Sequence, residues 1–270
     1  MVTKLIFLGG GNMAEAIFAG LVNDAHYTIE VIQRNPDKVQ RLQDLYPNIK
    51  VTTTLEYSPS ANDIVILAIK PQQAKEACLA NKEKLQHCTL LSVMAGLATT
   101  SITNWLNNPR IIRTMPNTPS SIQQGITAIF SSPEVPSPHK TIVKEIFNSL
   151  GIVYIANDES EIDKIIPVSS SAVAFLYYFM EGIINSAVSE FGFSKEDATK
   201  LVTQMTIGTC GLLNANPDIS IAEQRERVTS KRGSTEQGLI TFANANLHEI
   251  TKQAMQNCYN RALEMAKEFN

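Results

Sequence analysis

A chain of 270 residues, 44% hydrophobic and 18% charged, is long enough for two modest domains of an ordinary globular protein. Its net charge of −3 gives no general attraction for nucleic acid or for an anionic membrane. Cys78, Cys88, Cys210 and Cys258 lack C-x-x-C spacing, and His26, His87, His139 and His248 show no ligand spacing. They exclude a disulfide frame and a metal site, and the cysteines read as buried thiols of a reducing compartment.

The chain opens with a predicted strand, Lys4-Leu5-Ile6-Phe7-Leu8, without the charged region or cleavage site of a signal peptide, so a cytoplasmic location is expected. The strand runs into Gly9-Gly10-Gly11-Asn12-Met13-Ala14, and a helix-forming stretch, Glu15 to Leu21, follows. Strand, G-x-G-x-x-A turn and helix in this order predict a dinucleotide-binding fold. Gly9 permits the tight turn, Gly11 the approach of a pyrophosphate, and Ala14 the close packing of helix on strand. The helix start offers free N–H groups and a positive dipole end.

A second strand, Thr28-Ile29-Glu30-Val31-Ile32, ends at Gln33-Arg34-Asn35-Pro36. NAD-preferring folds place an acid near this strand end for the ribose 2′-hydroxyl. Here Gln33 and Arg34 stand there, and a guanidinium pairs with a 2′-phosphate that a carboxylate would repel. NADPH is therefore the expected cofactor, with NADH as a weaker alternative; the plainer reading of Arg34 is a solvated loop residue.

Further apolar runs alternate with helical segments: Asp63 to Ile69, Thr89 to Val93, Arg110 to Arg113, Ala128 to Phe130 and Ile152 to Ile155. This alternation predicts an α/β fold with a Rossmann-type, doubly wound parallel sheet, whose ligands lie beyond the carboxyl ends of the strands. The cofactor-binding candidates fall in those turns. They are Gly9, Gly11, Asn12 and Met13; Arg34 and Asn35; Ala68, Lys70 and Pro71; Met94 and Ala95; and Asn117.

After about Asn157 the strand pattern stops, and residues 159–270 read as an all-helical dimerisation domain behind a cofactor domain at 1–158. Ile162, Ile165, Ile166, Phe175, Phe179 and Ile183 recur at helical spacing on a face too broad for so small a domain to cover, which predicts a second subunit. The longest apolar run, Ile165 to Met180, is interrupted by Pro167 and three serines, and no membrane span is expected from it. Between two helical stretches, Val228 to Thr235 combines hydroxyls, Gly233 and backbone N–H groups, and so could hold a carboxylate. The plainer reading is a helix–helix loop capped by Ser234 or Thr235.

The strings Gly9 to Ile17, Ala68-Ile69-Lys70-Pro71-Gln72, Met94-Ala95-Gly96, Arg113 to Pro119, Val228-Thr229-Ser230 and Gly233-Ser234-Thr235 together resemble the pyrroline-5-carboxylate reductases, in the family's order over nearly the whole chain. The resemblance implies an oxidoreductase of proline biosynthesis that reduces a cyclic imine with NAD(P)H, and an interlocked helical homodimer that builds rings of dimers. It implies Thr235 as the catalytic residue beside the ring nitrogen, and Ser230, Gly233 and Ser234 as carboxylate binders. This chain departs from the pattern twice. Ser169-Ser170-Ser171-Ala172-Val173-Ala174-Phe175 stands where the family usually has Ser-Gly-Ser-Gly-Pro-Ala-Tyr, and Lys231-Arg232 replaces a Pro-Gly pair. A catalytically weak, NADPH-binding relative with a regulatory or assembly role is the competing reading. A β-hydroxyacid dehydrogenase is disfavoured, because its relatives carry a lysine on the long central helix and none occurs from Ile165 to Ser194.

Overall fold

The computed structural model describes residues 2–269, which fall into two compact units: 2–171 with 258–269, and 172–257. In the first, eight strands form one sheet: β1 (Thr3–Leu8), β2 (Tyr27–Ile32), β3 (Lys50–Thr52), β4 (Ile64–Leu67), β5 (Thr89–Ser92), β6 (Ile111–Pro116), β7 (Gly125–Ser131) and β8 (Gly151–Ile155). Their order is β3-β2-β1-β4-β5-β6-β7-β8, so the chain reverses direction between β1 and β4. That reversal opens the ligand crevice of a doubly wound sheet.

Alternation along β1 explains why both faces are covered. Leu5 and Phe7 point into one core, with Ile17 and Phe18 of α1 (Asn12–Phe18), Leu42 of α2 (Pro36–Leu45) and Phe147 of α5 (Ser137–Asn148). Ile6 and Leu8 point into the other, with Ala74 and Cys78 of α3 (Pro71–Ala80) and Ile102 and Leu106 of α4 (Thr99–Leu106). A period of two feeding two cores produces the continuous apolar strands seen in the sequence.

One pair departs from the parallel pattern: β6 and β7 run antiparallel, with Thr114 opposite Ile129. Only the 3₁₀ turn Thr118–Ile122 joins them, too short for the crossover a parallel pair requires. The short edge strand β3 was not anticipated. The first helix starts at Asn12 rather than Glu15, because Gly11 serves as its N-cap. Of the four cysteines expected to be buried, Cys78 and Cys88 are, and burial pushes their thiols up to about 12. Cys210 is exposed and Cys258 half-buried, since both lie on helices whose outer faces one chain leaves open.

Three polar networks hold the first unit. Buried Glu30 accepts hydrogen bonds from Lys4 Nζ (2.8 Å), Lys50 Nζ (3.0 Å) and Tyr57 Oη (2.5 Å). Arg113, its side chain 3% exposed, donates to Asp163 Oδ1 (2.5 Å) and to Glu159 Oε1 (3.2 Å). Glu159 also accepts from the backbone N–H and the hydroxyl of Thr99 at the start of α4, at 2.7 and 2.6 Å. The short helix α6 (Ser160–Lys164) is thereby fastened to the sheet, with Ile162 packed on Ala128 and Ala156. This is why residues 159–171 stay with the first unit.

The third network is His139, buried with its Nδ1 2.6 Å from Thr89 Oγ1 and its ring bonded to the Asn62 backbone. Burial holds its pKa below the usual imidazole value. The unfolded chain therefore takes up this proton first as pH falls, so the group's contribution is complete above about pH 6.5 and is lost progressively below it. Urea midpoints measured from pH 8 to pH 5 should decline below that point, and His139→Gln should flatten the decline. An unchanged slope would assign it to other groups.

The second unit contains α7 (Ala172–Phe191), α8 (Lys195–Ala215), α9 (Ile221–Arg227), α10 (Ser234–Asn244) and the start of α11 (Leu247–Phe269). Ser194 caps α8 by accepting from Asp197 N–H, and Ser220 caps α9 by accepting from Glu223 N–H. No residue of α7 is buried, and Tyr178 is 80% exposed. The segment before it makes a π-helical turn, Ile166–Ser170, in which Ser171 N–H donates to Ile166 O at 2.8 Å. A wide turn therefore stands at the serine run.

Candidate active site

Beyond the carboxyl ends of β1, β2 and β4 lies a cavity of about 500 Å³. Gly9, Gly11, Arg34, Ala68 and Lys70 all line it. Gly9 has φ 105°, and a Cβ there would strike the Ala68 carbonyl, so only glycine fits the turn. At Gly11 a Cβ would meet nothing within 4 Å: the space on that side of the helix start is open, as an incoming phosphate needs. Behind the turn, Arg41 pairs bidentately with Glu15 (2.9 and 3.0 Å) and holds its carboxyl below the usual range, tying α1 to α2.

Arg34, Lys38, Lys70 and Lys84 line the cavity against a single acid, Glu76. Such a balance suits a polyanion. Lys38, Lys84, Thr53 and Thr54 were not anticipated. Lys38 lies one turn into α2 from Arg34, a spacing readable in the sequence, whereas the threonines follow the unforeseen β3.

The remaining candidates occupy the same strand ends with their side chains engaged elsewhere. Asn12 opens α1, and Met13 packs on the core. Asn35 caps α2, its Oδ1 accepting from Lys38 N–H at 3.1 Å. Pro71 is the first residue of α3. Met94 is buried in the second core, and Ala95 is half-buried in the turn after β5. Asn117 donates from Nδ2 to Ser169 O (3.1 Å) and accepts at Oδ1 from Ile126 N–H (2.9 Å). At Asn35, Met94 and Asn117 only the backbone remains available to a cofactor.

Within the second unit, the loop 228–235 has a defined shape. Gly233 N–H donates to Ser230 O at 2.9 Å, closing a tight turn through Lys231 and Arg232, and Arg232 has φ 61°. Gly233 is the N-cap of α10, and a Cβ there would collide with Ser230 Oγ. The alternative in which Ser234 or Thr235 caps the helix is thus replaced: they are its first and second residues. Their N–H groups belong to the helix's unbonded first turn. No protein partner meets the Thr235 hydroxyl among the described residues. Ser230 Oγ, these N–H groups and the Thr235 hydroxyl form a compact set of donors suited to a small anion beside a proton-bearing ring atom. Among the described residues, no group of three or more His, Cys, Asp and Glu could hold a metal ion.

A family model described as pyrroline-5-carboxylate reductase dimerisation matches residues 159–265, and one for coenzyme F420-dependent NADP oxidoreductases matches 4–96. The pyrroline-5-carboxylate reductase of Vibrio alginolyticus is 32% identical over 270 residues, covering 98% of both chains. The chain belongs to the pyrroline-5-carboxylate reductase family. The Haemophilus influenzae member is 30% identical over the whole of both chains. The Coxiella burnetii member superposes with a TM-score of 0.84 at 31% identity, over 97% of each chain. The Plasmodium falciparum pyrroline carboxylate reductase, solved with NADP bound, shares the fold with a TM-score of 0.83 at 23% identity. Membership explains the uncovered helices as a dimerisation surface. It also accounts for the stretch Ser160–Phe191, which is long and apolar enough to cross a membrane by length and composition and lies wholly within the matched region.

Proposed function

We propose that this protein reduces 1-pyrroline-5-carboxylate to L-proline with NADPH, the closing step of proline biosynthesis. The observation that carries the reading is 32% identity to a named reductase over 98% of both chains. Residues 1–158 serve nucleotide binding and residues 159–270 serve substrate binding and dimerisation, although 159–171 and the end of α11 pack with the first unit. The homodimer forms through the helical domain and associates further into a ring, in the cytoplasm.

The cation-lined cavity, the Gly9 turn and the open space at Gly11 fit a phosphorylated dinucleotide. Gly9, Gly11, Asn12 and Met13 approach its pyrophosphate through the backbone, and Arg34 with Asn35 holds the adenosine ribose phosphate. The turns at Ala68, Lys70 and Pro71, at Met94 and Ala95, and at Asn117 line the remainder of its path. When bound, it supplies the hydride. Ser230 Oγ and the Ser234 N–H bind the substrate carboxylate, in a turn whose close approach Gly233 permits. The Thr235 hydroxyl orients the ring nitrogen and holds its proton there. A protonated imine is already electrophilic, so no strong protein acid is required.

Steady-state oxidation of NADPH and NADH with the cyclic imine tests the reading. Turnover that favours NADPH supports it; binding without turnover favours the catalytically weak relative suggested by Ser169–Phe175 and Lys231-Arg232. Arg34→Asp should raise KM for NADPH about 10- to 100-fold, the worth of a charge-assisted pair, and leave that for NADH nearly unchanged. Equal use of both cofactors by the unmodified protein would remove Arg34 from this role.

A further inference from the structure

The turn from Ser230 to Gly233 is closed by a 2.9 Å backbone bond and has its third residue, Arg232, at φ 61°. A tight turn with positive φ at its third position favours glycine there and proline before it, which is the pair the family usually carries. This chain places Lys231 and Arg232 at those two positions, and so holds an arginine in a backbone region that resists side chains.

The charge on that arginine is equally unusual. Of the eight arginines, five pair with carboxylates and Arg110 donates to the His87 carbonyl at 3.0 Å. Among the described residues, only the guanidinium groups of Arg34 and Arg232 have no protein partner. Arg34 lines the nucleotide cavity. Glu236 lies one helical turn from Arg232, yet its carboxylate accepts the Arg232 backbone N–H at 2.6 Å instead of the guanidinium. That bond locks the turn and leaves the cation free. The strained backbone and the unpaired charge occur on one residue, next to the N-cap of α10, where the helix already presents its positive end.

We propose that Arg232 is a substrate-binding residue, which attracts and holds the carboxylate of the cyclic imino acid, with Lys231 strengthening the local field. The assignment rests on the reductase reading above. The donors at Ser230 and Ser234 are short and fixed, whereas a guanidinium adds a charged, two-pronged contact and a longer reach.

Two variants test it in the full-length protein. Arg232→Asn removes the charge but tolerates the left-handed backbone; Arg232→Gly removes the strain as well. Both should raise KM for 1-pyrroline-5-carboxylate about tenfold, the loss of one charge-assisted contact, without shifting KM for NADPH. The steep fall of kcat/KM expected for the unmodified enzyme between about 50 and 300 mM salt should become shallow in both. Arg232→Gly should also melt higher than the unmodified protein, a readout independent of catalysis. Active variants with unchanged KM and unchanged salt dependence would overturn the assignment while leaving the reductase reading intact. An unmodified protein that cannot oxidise NADPH with the imine would overturn the reductase reading, and this assignment with it.

Discussion

Thr235→Val should slow turnover by roughly 30- to 1000-fold, the cost of about 2–4 kcal/mol when a transition-state hydrogen bond is removed. Valine keeps the β-branched shape, so packing is unaltered and only the hydroxyl is lost. The structure sharpens the experiment, because the competing role for Thr235 was a helix cap, whose loss would cost about 1 kcal/mol of stability. Gly233 holds the cap position and makes no side-chain bond, and Thr235 is the second residue of α10 with its hydroxyl exposed. The melting temperature should therefore stay within a degree or two, since about 1 kcal/mol corresponds to only 2–4 °C in a domain of this size class. NADPH binding, followed by fluorescence, should persist. Full activity in the variant would take away the catalytic role and leave the reaction to the bound substrate's own protonated ring.

The largest effect on stability is expected from Arg113→Met. The guanidinium is buried between Asp163 and Glu159, and Glu159 in turn holds the first turn of α4 through Thr99. Removing one partner of a buried ion network leaves uncompensated charge, at a cost of about 3–5 kcal/mol. Urea unfolding should show a midpoint shift of that size without a change of slope. Replacing Arg113, Glu159 and Asp163 together by apolar residues of similar volume should recover most of the loss, since an apolar cluster is commonly as stable as the ion network it replaces. A loss below about 1 kcal/mol in the single variant, the value of an exposed pair, would mean that water reaches the site.

The sequence made the cofactor half legible wherever local chemistry decides structure. Gly9 had to be glycine for the turn, and the apolar runs of β1, β4 and β5 had to be strands buried on both faces. What it hid depends on partners distant in the chain. β3 is three residues long with only Val51 buried, so no alternation can betray it; it exists because Glu30 and Val31 of β2 pair with Lys50 and Val51. Strand direction leaves no mark in an apolar run, which concealed the antiparallel β6–β7 pair. Arg113 read as one more strand residue because Glu159 and Asp163 lie 46 and 50 residues further on. Asn117 was correctly placed at a strand end, but its amide serves Ser169 and Ile126. In the substrate loop the residue types suggested an anion site, while the free guanidinium of Arg232 became visible only once the other arginines were traced, six to protein partners and Arg34 to the nucleotide cavity.

The carboxylate of Glu30 has a bearing on how the chain finds its alignment. Lys4, Glu30 and Lys50 come from three neighbouring strands, and the central one contributes the only acid. Sliding β3 along β2 by one residue would turn Lys50 to the opposite face and leave that acid short of a cation. So short an edge has little else to fix its position, which makes Glu30 a gauge that sets the offset of β3. The loop after β3 carries Thr53 and Thr54 to the rim of the nucleotide cavity. The shape of that rim is thus inherited from an electrostatic measurement made inside the sheet, by a side chain that does not line the cavity.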